Sequence, residues 1–176
     1  MKEYEENWRT FRNFDRYRIP PVVLDWMLDP ASLTQRVRNL CGSKTFHVRV
    51  LSLTYRYLSA TEAQLLNVRP GLRTLDRQVQ LCCGEQPLVY ARSLLPVTLF
   101  AGNLQRLKYH GSKSLGATLF ADPTVTRGEL QVANILARHI PGADTKADVW
   151  GRRSVFRIQD RPLLVTEFYL PALFKA

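Results

Sequence analysis

The sequence predicts a single α+β domain, an antiparallel sheet of about six strands with short helices grouped between them. Three observations lead there. Two hairpins are legible, one from Arg73 to Leu95 around Gly84-Glu85-Gln86 and one from Trp150 to Leu170 around Asp160. The helical patterns are short and lie between groups of strands rather than alternating with single ones. At 176 residues the chain is long enough to bury about 70% of its unfolded surface without a staple.

The elements follow in order. Residues 1–20 are a polar leader dotted with aromatics, and the domain is expected over 21–176. Pro21 to Leu28 reads as a short helix begun by proline and stopped by Asp29-Pro30. Ser32 with Gln35 three residues on is a capping box for a second helix, with Leu33, Val37 and Leu40 on one face and Gly42 as its stop. Thr45 to Tyr57 is a long strand whose apolar residues change parity partway, which predicts a bulge. Residues 58–72 read as a connection. Arg73 to Cys82 and Leu88 to Leu95 form the first hairpin, ended by Pro96. Val97 to Phe120 is helical in pattern, with Leu104 and Leu107 on one short helix and Ser114 capping another that carries Leu115, Leu119 and Phe120. Thr124 to Val132 is expected to be a strand, Asn134 to Ala147 a helix turn plus loop, and the second hairpin closes the chain.

Glu167 stands alone in Pro162-Leu-Leu-Val-Thr-Glu-Phe-Tyr-Leu-Pro171, a strand whose other side chains are apolar, aromatic or threonine. Alternation puts it on the face of Leu163, Val165 and Tyr169. A carboxylate there needs a cation, hydrogen-bond donors or a proton. Arg77 is the matching anomaly, a cation on the apolar face of Leu75, Val79 and Leu81, with Thr74, Asp76, Gln78 and Gln80 opposite. The two read either as a buried structural pair or as the anion-binding and acid ends of one pocket. The helix starts at Leu33 and Leu115 offer free backbone N–H groups for an anion, or ordinary capping. Arg92, on the strand face of Leu88, Tyr90 and Leu94, is a further candidate cation or a snorkelling edge residue. Arg152-Arg153 reads as a basic strand entrance facing water.

Lys and Arg outnumber Asp and Glu by 25 to 15, a net charge of +10 without a polybasic block. Such a diffuse field suits an anionic small molecule, an acidic surface or nucleic acid and does not choose among them. Cys41 and the adjacent Cys82-Cys83 lack zinc-ligand spacing and read as free thiols of a reducing cytoplasm. His47, His110 and His139 are far apart, so no metal site is expected. The leader is no signal peptide, and no run approaches the ~18 apolar residues of a membrane span. No P-loop, GxSxG elbow or dinucleotide fingerprint is present.

The runs LDWMLDPASLTQRV, LDRQVQLCCGEQPLVYARSLLPV, SLGATLF and VWGRRSVFRIQDRPLLVTEFYLPA, in this order and spacing, resemble the bacterial chorismate lyase family, the chorismate pyruvate-lyases of ubiquinone biosynthesis. The resemblance runs from Leu24 to Ala172. It implies a six-stranded antiparallel sheet with helical flaps over an internal pocket, and cofactor-free conversion of chorismate to 4-hydroxybenzoate and pyruvate. It also implies roles: Arg77 and the main chain at Leu33 and Leu115 hold the aromatic carboxylate, and Glu167 faces the ring hydroxyl. Arg92 is the candidate for chorismate's second carboxylate. Three departures accompany it: Leu33 stands where the best-known member has methionine, Ala91 where a glycine can occur, and the segment between Arg127 and Trp150 is longer than in short members. A cytoplasmic monomer without a nucleic-acid partner or an integral membrane segment is expected. The competing classes are a non-catalytic aromatic-acid sensor, because the family's fold resembles the effector-binding domain of some winged-helix repressors, and a nucleic-acid binder resting on charge alone. The short leader leaves too little chain for a winged helix.

Overall fold

The computed structural model describes residues 7–109 and 115–175, within which the chain forms eight strands and four α-helices. Strands β1 (Arg9–Thr10), β2 (Phe46–Tyr57), β3 (Arg73–Cys83), β4 (Gln86–Pro96), β5 (Thr126–Arg127), β6 (Gln131–Leu136), β7 (Asp148–Ile158) and β8 (Arg161–Tyr169) make one antiparallel sheet. Its order is β1-β6-β7-β8-β4-β3-β2, with β5 also on β7. The helices are α1 (Pro21–Leu28), α2 (Leu33–Leu40), α3 (Ala60–Leu66) and α4 (Leu115–Ala121).

Both predicted hairpins form. The β7–β8 turn places Gln159 and Asp160 at φ 50 and 63, and the β3–β4 turn places Gly84 at φ 56. These are the left-handed conformations that match a tight turn to the twist of its strands. The hairpins join along β4 and β8, where Ala91 faces Glu167. The expected bulge lies in β2 between Val50 and Ser52. It flips the parity of the strand, so Phe46, Val48 and Val50 before it and Leu53, Tyr55 and Tyr57 after it share the face of β3 that bears Arg77.

On that face two apolar clusters pack against the sheet. One joins Val23, Trp26 and Met27 of α1 and Leu33 and Val37 of α2 to Leu81 and Tyr169. The other joins Leu99, Leu104, Leu107, Leu115 and Leu119 to Leu75, Phe156 and Leu163. Residues 97–109 in this second cover are mostly 3-10 helix, not the α-helix their pattern suggests. Ser114, the proposed cap of α4, and His110 lie outside the described residues.

Several expectations need correcting. The opposite face of β3 is not solvated: Thr74, Asp76 and Gln80 are buried. Its cover includes α3, which lies in the segment read as a connection and packs Leu58, Ala63, Leu66 and Leu72 against Leu94 and Leu164. Ser59 and Glu62 form a reciprocal capping box at its start. Thr124 to Val132 is not one strand: β5 ends at Arg127, Gly128 still donates to the Val155 carbonyl of β7, pairing resumes only at Gln131, and β6 continues to Leu136 in a stretch read as a helix turn plus loop. The leader joins the fold through β1, with Trp8, Phe11 and Ile19 buried. Cys41 and Cys83 are a disulfide, with Cα atoms 5.4 Å apart, and only Cys82 is a free thiol. Neighbouring cysteines on a strand face opposite ways, so Cys83 alone meets the end of α2.

Beneath α3 lies an ionic network. Arg92 donates to Asp76 through Nε at 3.0 Å and Nη2 at 2.6 Å, while Arg56 bridges Asp76 at 2.7 Å and Glu62. Burial would raise both carboxyls, but the two arginines more than offset it and hold both below their ordinary values. Because the folded values lie below the unfolded ones, this stabilisation is complete above about pH 5, begins to drain as the pH falls through the unfolded value of about 4, and is gone only below the lower folded values. Urea unfolding at pH 7 and pH 3 should show that loss, and Asp76→Asn should flatten it. Reducing Cys41–Cys83, 42 residues apart in sequence, should cost about 4 kcal/mol by loop entropy. Urea midpoints with and without reductant measure it, and Cys82→Ser should leave the difference unchanged.

Candidate functional site

Between the two apolar clusters is a cavity of about 50 Å³, lined among others by Leu33, Arg77, Ala91, Leu115, Phe156 and Glu167. Four of the five sequence-predicted site residues, Arg77, Glu167, Leu33 and Leu115, therefore meet around one space. Strand register explains the two charged ones. Arg77 on β3 faces Ser93 on β4, Ser93 faces Val165 on β8, and Glu167 is two residues further along. Two strand spacings and two residues put their Cα atoms about 12 Å apart. They stand at opposite ends of the cavity, not as a contact pair.

Arg77 is 3% exposed, and burial pulls its pKa down to about 10, which leaves it cationic at neutral pH. Leu33 and Leu115 are the first residues of α2 and α4. Ser32 caps α2 by accepting from the Gln35 amide, but the Gln35 side chain donates to Asn39, so the predicted capping box is half made.

The cation that meets Glu167 is Arg152. Its Nε donates to Oε2 at 2.7 Å. Its Nη1 reaches the carbonyls of Trp26, Met27 and Asp29 at 3.2, 2.9 and 3.1 Å, groups that the end of α1 leaves unsatisfied. Burial would lower the Arg152 pKa, but the charge of Glu167 and the hydrogen bond to it hold it above the usual range. Among the described residues Glu167 Oε1 accepts no hydrogen bond. The carboxylate is thus pinned through one oxygen, and the other is available to a ligand.

Arg152 is the residue that the sequence reading missed. It was expected to face water and is 3% exposed, because β7 is an interior strand covered on both faces. Arg92 is the opposite case. It pairs with Gln78 and Thr166, so it projects from the far face into the Asp76 network and does not reach the cavity. No group of three His, Cys, Asp or Glu among the described residues is placed to hold a metal ion.

One antiparallel sheet thus carries a cavity roofed by short helices on one face, with a buried arginine at one end and a carboxylate at the other. Residues 6–176 match the chorismate lyase family model, and the chain belongs to that family. It is 44% identical over 159 residues to the "Probable chorismate pyruvate-lyase" of Azoarcus sp. (strain BH72), covering 84% of this chain and 83% of the relative. It is 40% identical over 153 residues to that of Methylococcus capsulatus, covering 84% and 94%. The protein is accordingly a lyase. Among solved structures the effector domain of PhnF from Mycobacterium smegmatis superposes with a TM-score of 0.59 at 16% identity, over 81% of this chain and 90% of that one. The C-terminal domain of the histidine utilization repressor from Pseudomonas syringae gives 0.56 at 15%, over 73% and 93%. These share the fold.

Replacing Arg152 by Met leaves Glu167 and three carbonyls without their donor. Urea unfolding should show a loss of about 3 kcal/mol, the usual cost of removing one partner of a buried pair. Adding Glu167→Gln should recover part of it.

Proposed function

We propose that this lyase converts chorismate to 4-hydroxybenzoate and pyruvate without a cofactor, and that Arg77, Glu167 and the main chain at Leu33 and Leu115 bind and orient the ring. The observation that carries this reading is the separation of a buried cation and an oriented carboxylate oxygen by about the length of a ring bearing para substituents, some 12 Å between Cα atoms less the two side chains. Arg77 receives the ring carboxylate, aided by the amides that begin α2 and α4. Glu167 accepts the hydroxyl on C4 through Oε1.

The reaction then balances simply. The bond from ring C3 to the ether oxygen breaks, and its electron pair leaves on enolpyruvate. A proton departs from C4, the ring becomes aromatic, and the enol takes a proton to become pyruvate. Aromatisation supplies the driving force, so the protein's work is positioning and charge stabilisation in a site shielded from water. The aromatic acid is the ring precursor of a ubiquinone route, and a cytoplasmic monomer belongs to the same proposal. The Cys41–Cys83 bridge is the one feature that argues against a steadily reducing compartment.

The fold shared with effector domains supports a second reading, a sensor that binds the acid without turnover. Purified protein mixed with chorismate, with 4-hydroxybenzoate and pyruvate followed together, separates the two. Equimolar release faster than spontaneous decay is expected, and binding without release would leave the sensor. Arg77→Ala should weaken 4-hydroxybenzoate binding about 100-fold, the value of a charge-assisted bidentate contact. Glu167→Ala should lower kcat by about 100-fold. Calorimetry and initial rates measure the two effects.

A further inference from the structure

Chorismate carries a second carboxylate on its enolpyruvyl arm, and Arg92 faces the wrong way to meet it. We propose that Arg127 is the cation for that carboxylate, a specificity-determining residue that recognises the substrate and not the aromatic product. The inference rests on the reading of the cavity as a chorismate site.

Arg127 pairs with Phe156 across β5 and β7, so both side chains lie on the cavity face of the sheet. Its guanidinium carbon sits 5.5 Å from the centre of the Phe156 ring, and that ring lines the cavity. Its Nε donates to Ser154 Oγ at 3.1 Å. Ser154 is buried, two residues from Arg152, and faces Val165, a lining residue two positions from Glu167. Arg127 is therefore beside the acid end of the cavity, although not itself part of its lining.

Its charge is the unusual feature. Arg77 and Arg152 are held deep in the fold, and Arg152 has Glu167. Among the described residues Arg127 makes the Ser154 hydrogen bond alone, and no carboxylate is in ion-pair contact with it. Arg127 as a residue is exposed, but the part of its guanidinium that lies over the sheet is desolvated, which with the like charge of Arg152 lowers its pKa, while Glu167 and Tyr169 act the other way. Arg127 and Ser154 also line a neighbouring cleft of about 410 Å³.

Substrate chemistry fits this position. The ether oxygen is on C3, next to the C4 hydroxyl that faces Glu167, so the arm leaves the ring beside the acid end. As the C3–O bond breaks, negative charge grows on the departing enolpyruvate, and a cation there contributes more in the transition state than in the ground state. The product has no arm and gains nothing from it.

The test compares wild type, Arg127→Met and Arg127→Lys with chorismate in steady-state kinetics and with 4-hydroxybenzoate in calorimetry. For Arg127→Met we expect kcat/KM to fall about 100-fold while the 4-hydroxybenzoate Kd stays within about twofold. Arg127→Lys should regain about tenfold of the loss, since it restores the charge without the planar fork. A kcat/KM within about threefold of wild type in Arg127→Met, or an equal loss in turnover and product binding, would overturn the proposal. Arg77→Ala, which should weaken both ligands, is the control. A wild-type protein that neither binds 4-hydroxybenzoate nor consumes chorismate would remove the chorismate reading itself, and this inference with it.

Discussion

Ala91 on β4 lies opposite Glu167 on β8, and that cross-strand register fixes the geometry of the cavity. It joins two hairpins, each of which sets its own internal register by a tight turn. β3 brings Arg77 to the joined sheet and β7 brings Arg152. A slip of one residue at this seam would send Glu167, and Arg152 with it, to the far face and separate the pair from Arg77. The two helical covers then have only to pack against a surface whose polar positions are already set. Arg152 carries the constraint beyond the sheet, because the side chain that holds Glu167 also holds the end of α1, and α2 with Leu33 begins four residues after Asp29.

The sheet also keeps its charges apart. Its cavity face carries Arg77, Arg127, and Arg152 with Glu167, an excess of positive charge suited to a dianionic ligand. Its far face carries Arg56 and Arg92 with Glu62 and Asp76, a set that closes on itself beneath α3, and the buried Arg153, which donates to Gln131. Parity decides which role each arginine has. Arg92 and Arg77 lie on adjacent strands, yet the first serves the structure and the second faces the cavity.

Much of this was legible because alternation is a short-range rule. The anomalies at Arg77 and Glu167 could be read from their own strands, as could the bulge in β2. What was missed required combining elements. The turn at Gln159-Asp160 fixes the pairing of β7 with β8, and counting back from it sets Arg152 against Glu167. The general habit of basic residues at strand ends carries nothing of that pairing. The capping box of Ser59 and Glu62 was equally present, but α3 is only seven residues long and its packing partners, Leu94 and Leu164, are remote in sequence. The cysteines were judged by adjacency, whereas their pairing depends on where α2 ends over β3.

The Cys41–Cys83 bridge has a mechanical side. It fastens the far end of α2 to the sheet, while Arg152 grips the carbonyls just ahead of the same helix. A rod secured at both ends does not swing. The α1–α2 side of the cavity is therefore a fixed jamb.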